Sequence, residues 1–443
     1  LRTLCANSSL TYLSSRSLKT FDAVAIDVSA RYATSFNVGR FPGNWLITDS
    51  SAALMTPLTS VLGLLNVYLD RLYHPDYNGV NRTRFGGMTV PLGFAVIGCG
   101  AISRMHLESI ASISDTRLVA AVDSNLERAQ AVVAEFGGRA FGDYKQALAL
   151  PEVDVVCILT PSGARRDIAV DAAEAKKHVI VEKPIEITIE RVDEIIDACK
   201  RNGVTLSGIF QFRFKPAWQF VRNAVASGRL GKLVLGNAHN KWWRSQEYYD
   251  STGWRGTWAL DGGGALMNQG IHAVDLLQWI MGDVVEVSAS TGILAHERIE
   301  VEDTAVATIK FESGALGIIE GTTSVYPGYP MRIELHGTEG SVIVTGDYIS
   351  EWAVRNTTDE ELEEVRRFYA PEVRQSTASD PAQTDCTWHR LQILDVVNSI
   401  LNGTEPMVPG TEGRKSVEII NAIYKSSRTC APVKLPLGPE ADA

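Results

Sequence analysis

Apolar and polar positions alternate in two different ways along the chain, and the change lies near residue 210. Between residues 93 and 210, short apolar runs alternate with segments of helical periodicity. The apolar runs are GFAVIG, RLVAAVD, VDVVCILT, HVIVE and VTLSGIF, and the helical segments are residues 101–112, 125–137, 164–175 and 189–201. Parallel strands joined by crossover helices produce this pattern, so residues 88–210 are predicted to form a doubly wound parallel sheet with helices on both faces.

The pattern after residue 210 predicts a different kind of sheet. A helix over residues 216–227 is followed by strand-like segments, two of which contain the turns ESGA and GTEGS. The segments are KLVLGNAHNKWWR, VVEVSASTGIL, DTAVATIKFESGALGIIEGTT, MRIELHGTEGSVIV and YISEWAV, and a helix over residues 385–403 follows them. Short turns join antiparallel neighbours, so residues 211–435 are predicted to form an α/β domain with a large, mostly antiparallel sheet.

Residues 1–87 show neither the alternation typical of strands nor the periodicity typical of helices, in contrast with the rest of the chain. We interpret them as an N-terminal extension, either poorly ordered or translated from a region upstream of a natural start at Met88. A small accessory domain is the alternative. Residues 436–443 are predicted to be a tail.

Composition and charge narrow the class of partner. The 443 residues are 45% hydrophobic and 21% charged, with a formal net charge of -10. Nucleic-acid binding needs a basic surface that this balance does not favour, so a small-molecule partner is expected. No uninterrupted apolar stretch has membrane-spanning length, and the first residues lack the pattern of a secretory signal. The six cysteines form no Cys-x-x-Cys pair, which predicts reduced thiols and a cytoplasmic location.

A glycine-rich turn follows the first predicted strand. Gly98 allows a tight turn, Gly100 lets the backbone approach a pyrophosphate, and Ser103 is small enough for close packing. Asp123 ends the second strand 23 residues after Gly100, where a carboxylate can bind an adenosine ribose and repel a 2′-phosphate. NAD is therefore favoured over NADP. Arg128 is the main feature against this preference, although its place in NLERAQ puts it on a helix face.

Two further motifs carry chemistry. In VIVEKPIE, Lys183 follows a parallel strand and is predicted to point into the crevice where such sheets bind ligands. In DGGGALMNQGIHAVD, Asn268 and His272 are four residues apart and so share one helical face. Oxidation of a secondary alcohol requires a proton acceptor and stabilisation of the developing alkoxide charge. We assign these roles to His272 and Lys183, with Asp275 as an orienting or capping group.

The motifs, in this order and spacing, resemble one family of oxidoreductases. The segments GFAVIGCGAISRMHLESI, LTPSG, HVIVEKPIE, QFRFKP, WRG and GGGALMNQGIHAVDLLQW are similar to the glucose-fructose oxidoreductase and inositol dehydrogenase family, also called Gfo/Idh/MocA. The resemblance implies an N-terminal Rossmann domain and a second domain whose open-faced sheet forms a homodimer or homotetramer interface. It also implies that the chain is an NAD-dependent enzyme that oxidises or reduces a sugar-like substrate.

The resemblance also implies roles for individual residues. Lys183 and His272 correspond to the catalytic lysine and histidine of the family. The residues that would contact the cofactor are Gly98, Gly100, Ala101, Ile102, Asp123, Thr160, Pro161, Glu182 and Lys183, with Gln211, Arg213, Trp254 and Arg255 beside the same cleft.

Two positions depart from the family pattern. Asn268 stands where many members have an aspartate, and an amide can orient a hydroxyl but cannot exchange a proton at neutral pH. Arg165 stands where many members have a histidine, so the contacts of that histidine cannot be transferred to this chain.

A segment rich in aromatic and basic residues, NKWWRSQEYYDSTGWRGTW, begins at Asn240 within the predicted strand that starts at residue 232. Aromatic faces can stack on sugar rings, and basic groups can bind hydroxyls or an attached anion. We expect about half of these aromatic residues in the core. The predicted substrate contacts are Lys183, Lys241, Arg244, Asn268 and His272. No metal site is predicted, because the eight histidines show no H-E-x-x-H or clustered Cys/His spacing.

The leading hypothesis is hydride transfer between NAD and a secondary hydroxyl or ketone of a sugar or sugar derivative. One alternative is a glycosidase that uses bound NAD for transient oxidation of the sugar. The other is a non-catalytic regulator that senses dinucleotides, and the presence of both Lys183 and His272 speaks against it.

Overall fold

The computed structural model describes residues 91–368 and 386–438. The predicted extension, residues 1–87, and residues 439–443 of the predicted tail lie outside this part of the chain. Within it, no helix is both long and apolar enough to cross a membrane.

Six parallel strands form the first sheet, in the order β3-β2-β1-β4-β5-β6. The strands are β1 (Leu92–Ile97), β2 (Thr116–Val122), β3 (Arg139–Phe141), β4 (Val155–Ile158), β5 (His178–Val181) and β6 (Leu206–Gly208). The chain leaves the sheet at β3 and returns on the other side of β1, and an open parallel sheet binds ligands at such a point of reversal. The predicted doubly wound sheet is confirmed.

The helices between these strands begin and end at recognisable local signals. They are α1 (Ser103–Ser112), α2 (Leu126–Phe136), α3 (Tyr144–Leu148), α4 (Arg166–Glu174) and α5 (Ile189–Asn202). The Asn125 side chain caps α2, the Thr188 side chain caps α5, and Gly203 ends α5 with a φ of 66°. The short β3 and α3 were not predicted, because elements of 3 and 5 residues are too short to show a period.

Eight strands form the second sheet, in the order β13-β12-β11-β7-β10-β9-β8-β14. They are β7 (Leu233–Lys241), β8 (Val284–Gly292), β9 (Thr304–Phe311), β10 (Leu316–Thr322), β11 (Arg332–Gly337), β12 (Gly340–Thr345), β13 (Tyr348–Val354) and β14 (Val433–Lys434). Neighbouring strands are antiparallel except β7 and β10, which run parallel. The mostly antiparallel sheet is confirmed, whereas the parallel pair joins strands too distant in sequence for a turn to indicate it.

Within the described part of the chain, helices cover one face of the second sheet and leave the other face open. The α-helices after β6 are α6 (Pro216–Ala226), α7 (Gln246–Asp250), α8 (Ile271–Met281), α9 (Asp359–Arg366), α10 (Thr387–Asn402) and α11 (Gly410–Thr429). Helix α8 packs on β7 and α11 packs on β8. The opposite face exposes apolar side chains from the adjacent strands β7, β10 and β9. These side chains are Leu235, Val306, Leu316 and Ile318.

Helix α10 covers the parallel sheet. Its Ile393, Val396 and Val397 are buried in one cluster with Phe94 of β1 and Leu107 of α1. The division of the chain into two domains at residue 210 stays a prediction. With that boundary, α10 belongs to the second domain although it packs on the sheet of the first. This packing brings a C-terminal helix close to the residues that follow β5.

Candidate active site

A tight glycine turn joins β1 to α1 at the carboxyl end of the sheet. Gly98 has a φ of +100°, and a Cβ there would lie 2.9 Å from the carbonyl carbon of Leu159. Only glycine suits both conditions. A Cβ at Gly100 would meet no heavy atom within 4 Å, so this position faces open space. The Ser103 hydroxyl donates to the Gly100 carbonyl at 2.7 Å and holds the turn against the start of α1.

Asp123, directly after β2, is bonded to this turn. Its Oδ2 accepts from the Cys99 N–H at 2.9 Å, and its Oδ1 accepts from the Asn125 N–H at 2.9 Å. The open space at Gly100 lies next to Ala101 and Ile102, at the N-terminal end of α1, where backbone N–H groups favour a phosphate. The turn is therefore suited to hold a dinucleotide, and Asp123 as the ribose contact stays a prediction.

The other predicted cofactor residues follow the next strands of the same sheet edge. Thr160 and Pro161 follow β4, Lys183 follows β5, and Gln211 begins a short 3-10 helix (Gln211–Phe214) after β6. The Thr160 hydroxyl is buried and has no hydrogen-bond partner among the described residues. The predicted cofactor residues thus follow neighbouring strands from β2 to β6 along one edge of the sheet, where open parallel sheets bind ligands.

Arg165, the first departure from the family pattern, is only 5% exposed. Its guanidinium donates to three main-chain carbonyls, those of Thr160, Glu182 and Pro184. The side chain therefore holds the loop after β4 against the loop after β5. Two of these carbonyls, those of Glu182 and Pro184, are on either side of Lys183.

Lys183 lies close to the glycine-rich segment at residue 262. Its Nζ donates to the main-chain carbonyl of Asn268 at 2.7 Å. Burial lowers the pKa of the Lys183 ammonium from its ordinary value. The Glu182 side chain turns the opposite way, and its carboxylate is buried beside His106, with 2.9 Å between Oε1 and Nε2. Glu182 was predicted beside the nicotinamide, but its carboxylate faces the protein interior.

The three glycines make a close turn that no larger residue could occupy. Gly262 and Gly263 have φ values of +75° and +155°, and a Cβ at Gly264 would lie 1.9 Å from the Glu302 carbonyl oxygen. The Glu302 carboxylate accepts from the N–H groups of Gly264 and Leu266 and from the Tyr424 hydroxyl, each at 2.9 Å. Sequence reasoning missed Glu302, because it lies 38 residues from Gly264 in an irregular segment.

A π-helix (Ala265–Gly270) follows the glycines and leads directly into α8. Asn268 is in the π-helix and His272 is in α8, so their spacing does not correspond to one regular α-helical turn as predicted. Such π-helical turns are frequent at functional sites.

A buried carboxylate that the sequence did not indicate orients the Asn268 amide. Asn268 Nδ2 donates to Asp261 Oδ1 at 2.7 Å, and Asn268 Oδ1 accepts from Gln269 Nε2 at 3.2 Å. Burial raises the pKa of Asp261 to about 6, against the opposing effects of its hydrogen bonds and of Lys183. The amide thus has a defined orientation, with its nitrogen toward Asp261.

His272 is held between aromatic rings. Its imidazole stacks on Phe212 with centroids 4.4 Å apart and meets the Phe210 ring edge-on. Burial, together with the positive charge of Lys183, lowers the pKa of His272 well below its ordinary value. A neutral imidazole close to an ammonium is the protonation pattern that removal of a hydroxyl proton requires.

Several predicted residues lie apart from this group. Lys241 forms an ion pair with Glu320 at 3.1 Å on the open face of the second sheet. Arg213 is fully buried and pairs with Asp275 at 2.6 Å and Glu412 at 3.0 Å. The structure therefore places Arg213 and Asp275 in an internal ion pair, in agreement with an orienting role for Asp275.

The aromatic and basic segment is less regular than predicted, because β7 ends at Lys241 and α7 follows. Arg244 is 4% exposed and donates from Nη2 to Gln269 Oε1 at 2.9 Å, beside Asn268. Its guanidinium and that of Arg255 both lie over the Tyr248 ring. Trp242 and Tyr249 are buried, whereas Trp243, Tyr248, Trp254 and Trp258 are partly or well exposed. Arg244 thus joins the Asn268 group.

Comparison with known proteins decides the family. A model described as "Oxidoreductase family, NAD-binding Rossmann fold" matches residues 92–210, and the GFO/IDH/MocA C-terminal domain matches residues 218–343. The WlbA dehydrogenase of Bordetella pertussis is 34% identical, with a TM-score of 0.73 over 80% of this chain and 100% of that chain. This chain belongs to the GFO/IDH/MocA family.

Other GFO/IDH/MocA proteins are similar over most of their length. The WlbA dehydrogenase of Chromobacterium violaceum is 32% identical, with a TM-score of 0.71 over 81% of this chain and 100% of that chain. Myo-inositol 2-dehydrogenase of Thermotoga maritima is 28% identical over 348 residues, which are 77% of this chain and 97% of that protein. The predicted family, the Rossmann domain and the class of NAD-dependent oxidoreductase are confirmed.

The ribose position of this GFO/IDH/MocA protein gives a first prediction. Asp123→Ala should weaken NAD binding about 10-fold and narrow the preference for NAD over NADP, because it removes a charged acceptor that repels a 2′-phosphate. Fluorescence titration with NADH and NADPH measures both affinities. Glu152→Ala, which removes an exposed carboxylate just before β4 at the opposite edge of the sheet, is the control and should leave the preference unchanged. An unaltered preference in Asp123→Ala would remove this residue from the cofactor site.

The glycine turn gives a second prediction. Gly264→Ala should destabilise the protein by about 3 kcal/mol or more, because its Cβ would overlap a backbone oxygen that cannot move aside. Gly253→Ala is the matched control, since a Cβ there meets no heavy atom within 4 Å. Chemical denaturation measures both variants. Equal stability of the two variants would show that the turn can relax, contrary to this expectation.

Proposed function

We propose that the chain moves a hydride between NAD and a secondary hydroxyl or ketone of a nucleotide-linked sugar that carries a carboxylate. The observation that carries this proposal is the grouping of Lys183, Asn268 and a neutral His272 at the carboxyl edge of the NAD-binding sheet. The buried Arg244 beside Asn268 supports the choice of an anionic substrate.

The residues of the group have separate tasks in the oxidation. His272, neutral because of its lowered pKa, accepts the hydroxyl proton. Lys183 donates a hydrogen bond to the same oxygen and stabilises its developing negative charge. Asn268, whose amide is oriented by Asp261, holds the hydroxyl by a hydrogen bond. Bound NAD supplies the hydride acceptor. In the reverse direction, His272 returns the proton to the oxygen of the ketone.

The substrate class is proposed from two relatives and one side chain. Both WlbA structures contain NADH and UDP-GlcNAcA, and their sequences are 34% and 32% identical to this chain. A uronic acid presents a carboxylate, for which a planar guanidinium is the best-matched partner among side chains. Arg244 holds such a group one residue from the proposed hydroxyl-binding Asn268, through its bond to Gln269.

A substrate panel tests the proposed function. The protein with NAD should form NADH with UDP-linked N-acetylhexosaminuronate, and kcat/KM should fall at least about 10-fold for the UDP-sugar that lacks the carboxylate. Arg244→Met should remove most of this discrimination. Faster NADH formation with free inositol than with the nucleotide-linked acid would contradict the substrate class. Release of an aglycone from a glycoside without net NADH would instead support the alternative glycosidase reaction.

The pH dependence of the reaction follows from the lowered pKa values of His272 and Lys183. The rate of oxidation should hold below the ordinary histidine value of 6.5, because the base His272 becomes protonated only at still lower pH. The rate should fall on the alkaline side before the ordinary lysine value of 10.5, because Lys183 loses its proton early. A pH series of kcat/KM measures both limits. An acid limb at or above 6.5 would contradict the assignment of His272 as the base.

We also propose a homodimer or homotetramer formed through the open face of the second sheet. The exposed side chains of Leu235, Val306, Leu316 and Ile318 form an apolar patch there, and such patches mark contact surfaces. Sedimentation equilibrium should give two or four chains per particle. A monomer that persists at micromolar concentration would contradict the proposal.

The compartment is proposed on the state of the thiols. Cys99, Cys157, Cys199, Cys386 and Cys430 are free in the described part of the chain, which agrees with a reducing compartment such as the cytoplasm. We retain residues 88–210 and 211–435 as the proposed domains. Cell fractionation tests the location, and limited proteolysis tests the boundary.

A further inference from the structure

A buried group of three side chains lies behind Lys183, on the side of the loop that faces away from the cleft. His106 comes from α1, Glu182 directly follows β5, and His389 comes from α10. Glu182 Oε1 lies 2.9 Å from His106 Nε2 and 3.6 Å from His389 Nε2. The three side chains are at most 6% exposed. Helix α10 thereby reaches the residue that precedes the proposed catalytic lysine.

The Glu182 carboxylate also holds the backbone of Lys183. Its second oxygen, Oε2, accepts from the Lys183 N–H at 3.1 Å. Arg165 donates to the carbonyls of Glu182 and Pro184 on either side. The peptide units around Lys183 are therefore bonded to two side chains. One of these, Glu182, is hydrogen-bonded to His106 and lies 3.6 Å from His389 Nε2, which has no hydrogen-bond partner among the described residues.

The charges of His106, Glu182 and Lys183 are consistent with a role of the Glu182 carboxylate in holding Lys183. Burial opposes ionisation of Glu182, but the two imidazoles hold the pKa of its carboxyl well below the ordinary value. Burial lowers the pKa of His106, so His106 is neutral and donates its Nε2 proton to a carboxylate. The ionised Glu182 also favours the charged form of Lys183, whose ammonium is otherwise destabilised by burial.

We propose that His106 and His389 are positioning residues for Lys183, which they place through the Glu182 carboxylate, and that His389 makes the active site depend on helix α10. The inference rests on the catalytic role proposed for Lys183. Helix α10 lies beyond residues 92–210 and 218–343, which the two family models match. The contribution of His389 therefore comes from a part of the chain outside both matched domains.

A metal ion is the competing explanation for two histidines and a carboxylate within reach of one another. Ligands bound at about 2.1 Å in tetrahedral geometry are roughly 3.4 Å apart, whereas a shared proton holds nitrogen and oxygen at about 2.9 Å. The distance of 2.9 Å between His106 and Glu182 therefore favours a hydrogen bond. Elemental analysis of the protein should find less than about 0.1 metal ion per chain, and one tightly bound ion per chain would overturn the proposal.

Two pairs of variants separate positioning from general stability. His389→Phe and His106→Phe keep a planar ring but remove its nitrogens, whereas His389→Gln and His106→Gln restore an amide N–H toward Glu182. Val396→Ala, in the core face of the same helix, is the control for lost packing. We expect the Phe variants to lower kcat by about 10-fold with KM and the NADH affinity within about threefold. The Gln variants should recover most of this loss, and Val396→Ala should leave kcat unchanged.

Hydrogen exchange provides a readout that needs neither substrate nor cofactor. In the full chain, the Lys183 amide should exchange at least about 10-fold faster in the Phe variants than in the wild type and in Val396→Ala, because its acceptor is released. This result would support the inference even if no dehydrogenase activity is found. Unchanged Lys183 exchange in both Phe variants would overturn the inference, and so would equal loss of kcat in Val396→Ala.

Discussion

Lys183→Met should lower kcat at least about 100-fold, because the variant keeps the length of the side chain but removes the positive charge that stabilises the substrate oxygen. The affinity for NADH should change less than about threefold, since the substitution leaves the other predicted cofactor residues in place. Steady-state kinetics of NADH formation and fluorescence titration measure the two quantities. The lost hydrogen bond to the Asn268 carbonyl should cost about 1 kcal/mol of stability, which leaves the protein folded.

Lys241→Met is the matched control for this variant. Lys241 carries the same side chain, but it lies on the open face of the second sheet and pairs with Glu320. We expect its kcat to stay within about twofold of the wild type, because exposed ion pairs contribute little and its side chain is bonded to Glu320 on the open face of the sheet. Equal loss of activity in both lysine variants would contradict the site. So would near-normal turnover in Lys183→Met.

His272→Ala should produce the second large effect. Loss of the proton acceptor should lower kcat at least about 100-fold, in line with the magnitude of general base catalysis. The acid limb of the pH profile should disappear in the residual activity, because the titrating group is gone. NADH affinity should be retained. Single-turnover measurements over a pH series separate this loss from slow product release.

Phe212→Leu is the control for the aromatic packing around His272. It removes the stacked ring at 4.4 Å but leaves the imidazole in place. We expect it to lower stability by about 1 kcal/mol and kcat by less than about 10-fold. If His272→Ala and Phe212→Leu lose the same activity, His272 acts through packing and the base must be sought elsewhere.

The site could be predicted only in part, because its residues differ in how far their partners lie along the chain. The Gly98 turn and Asp123 belong to one strand-turn-helix unit and the strand after it, so local spacing indicated them. Asp261 and Glu302 each bond to the segment at residues 264–268, but neither belongs to a motif. Nothing in a short window of sequence distinguishes such a carboxylate from an exposed one.

Other differences arise from side chains whose direction depends on the fold. Lys241 and Arg244 are three residues apart and looked equivalent, but the first points to the open face of the sheet and the second to Gln269, which bonds to Asn268. Glu182 and Lys183 are adjacent, and the strand end directs them to opposite sides of the sheet edge. The regular α-helical turn expected between Asn268 and His272 is replaced in part by a π-helix.

The sequence by itself determined the two kinds of sheet, the order of the long strands and helices and the dinucleotide turn, and it predicted the lysine and histidine of the proposed site. These features depend on periodicity and on contacts between near neighbours, which a linear pattern records. Only the tertiary structure decided how α10 packs on the parallel sheet, how Asp261 orients Asn268, and how His106 and His389 come to lie beside Glu182. Those contacts join residues up to 283 positions apart, as for His106 and His389, and burial makes them strong because no water competes for the same groups.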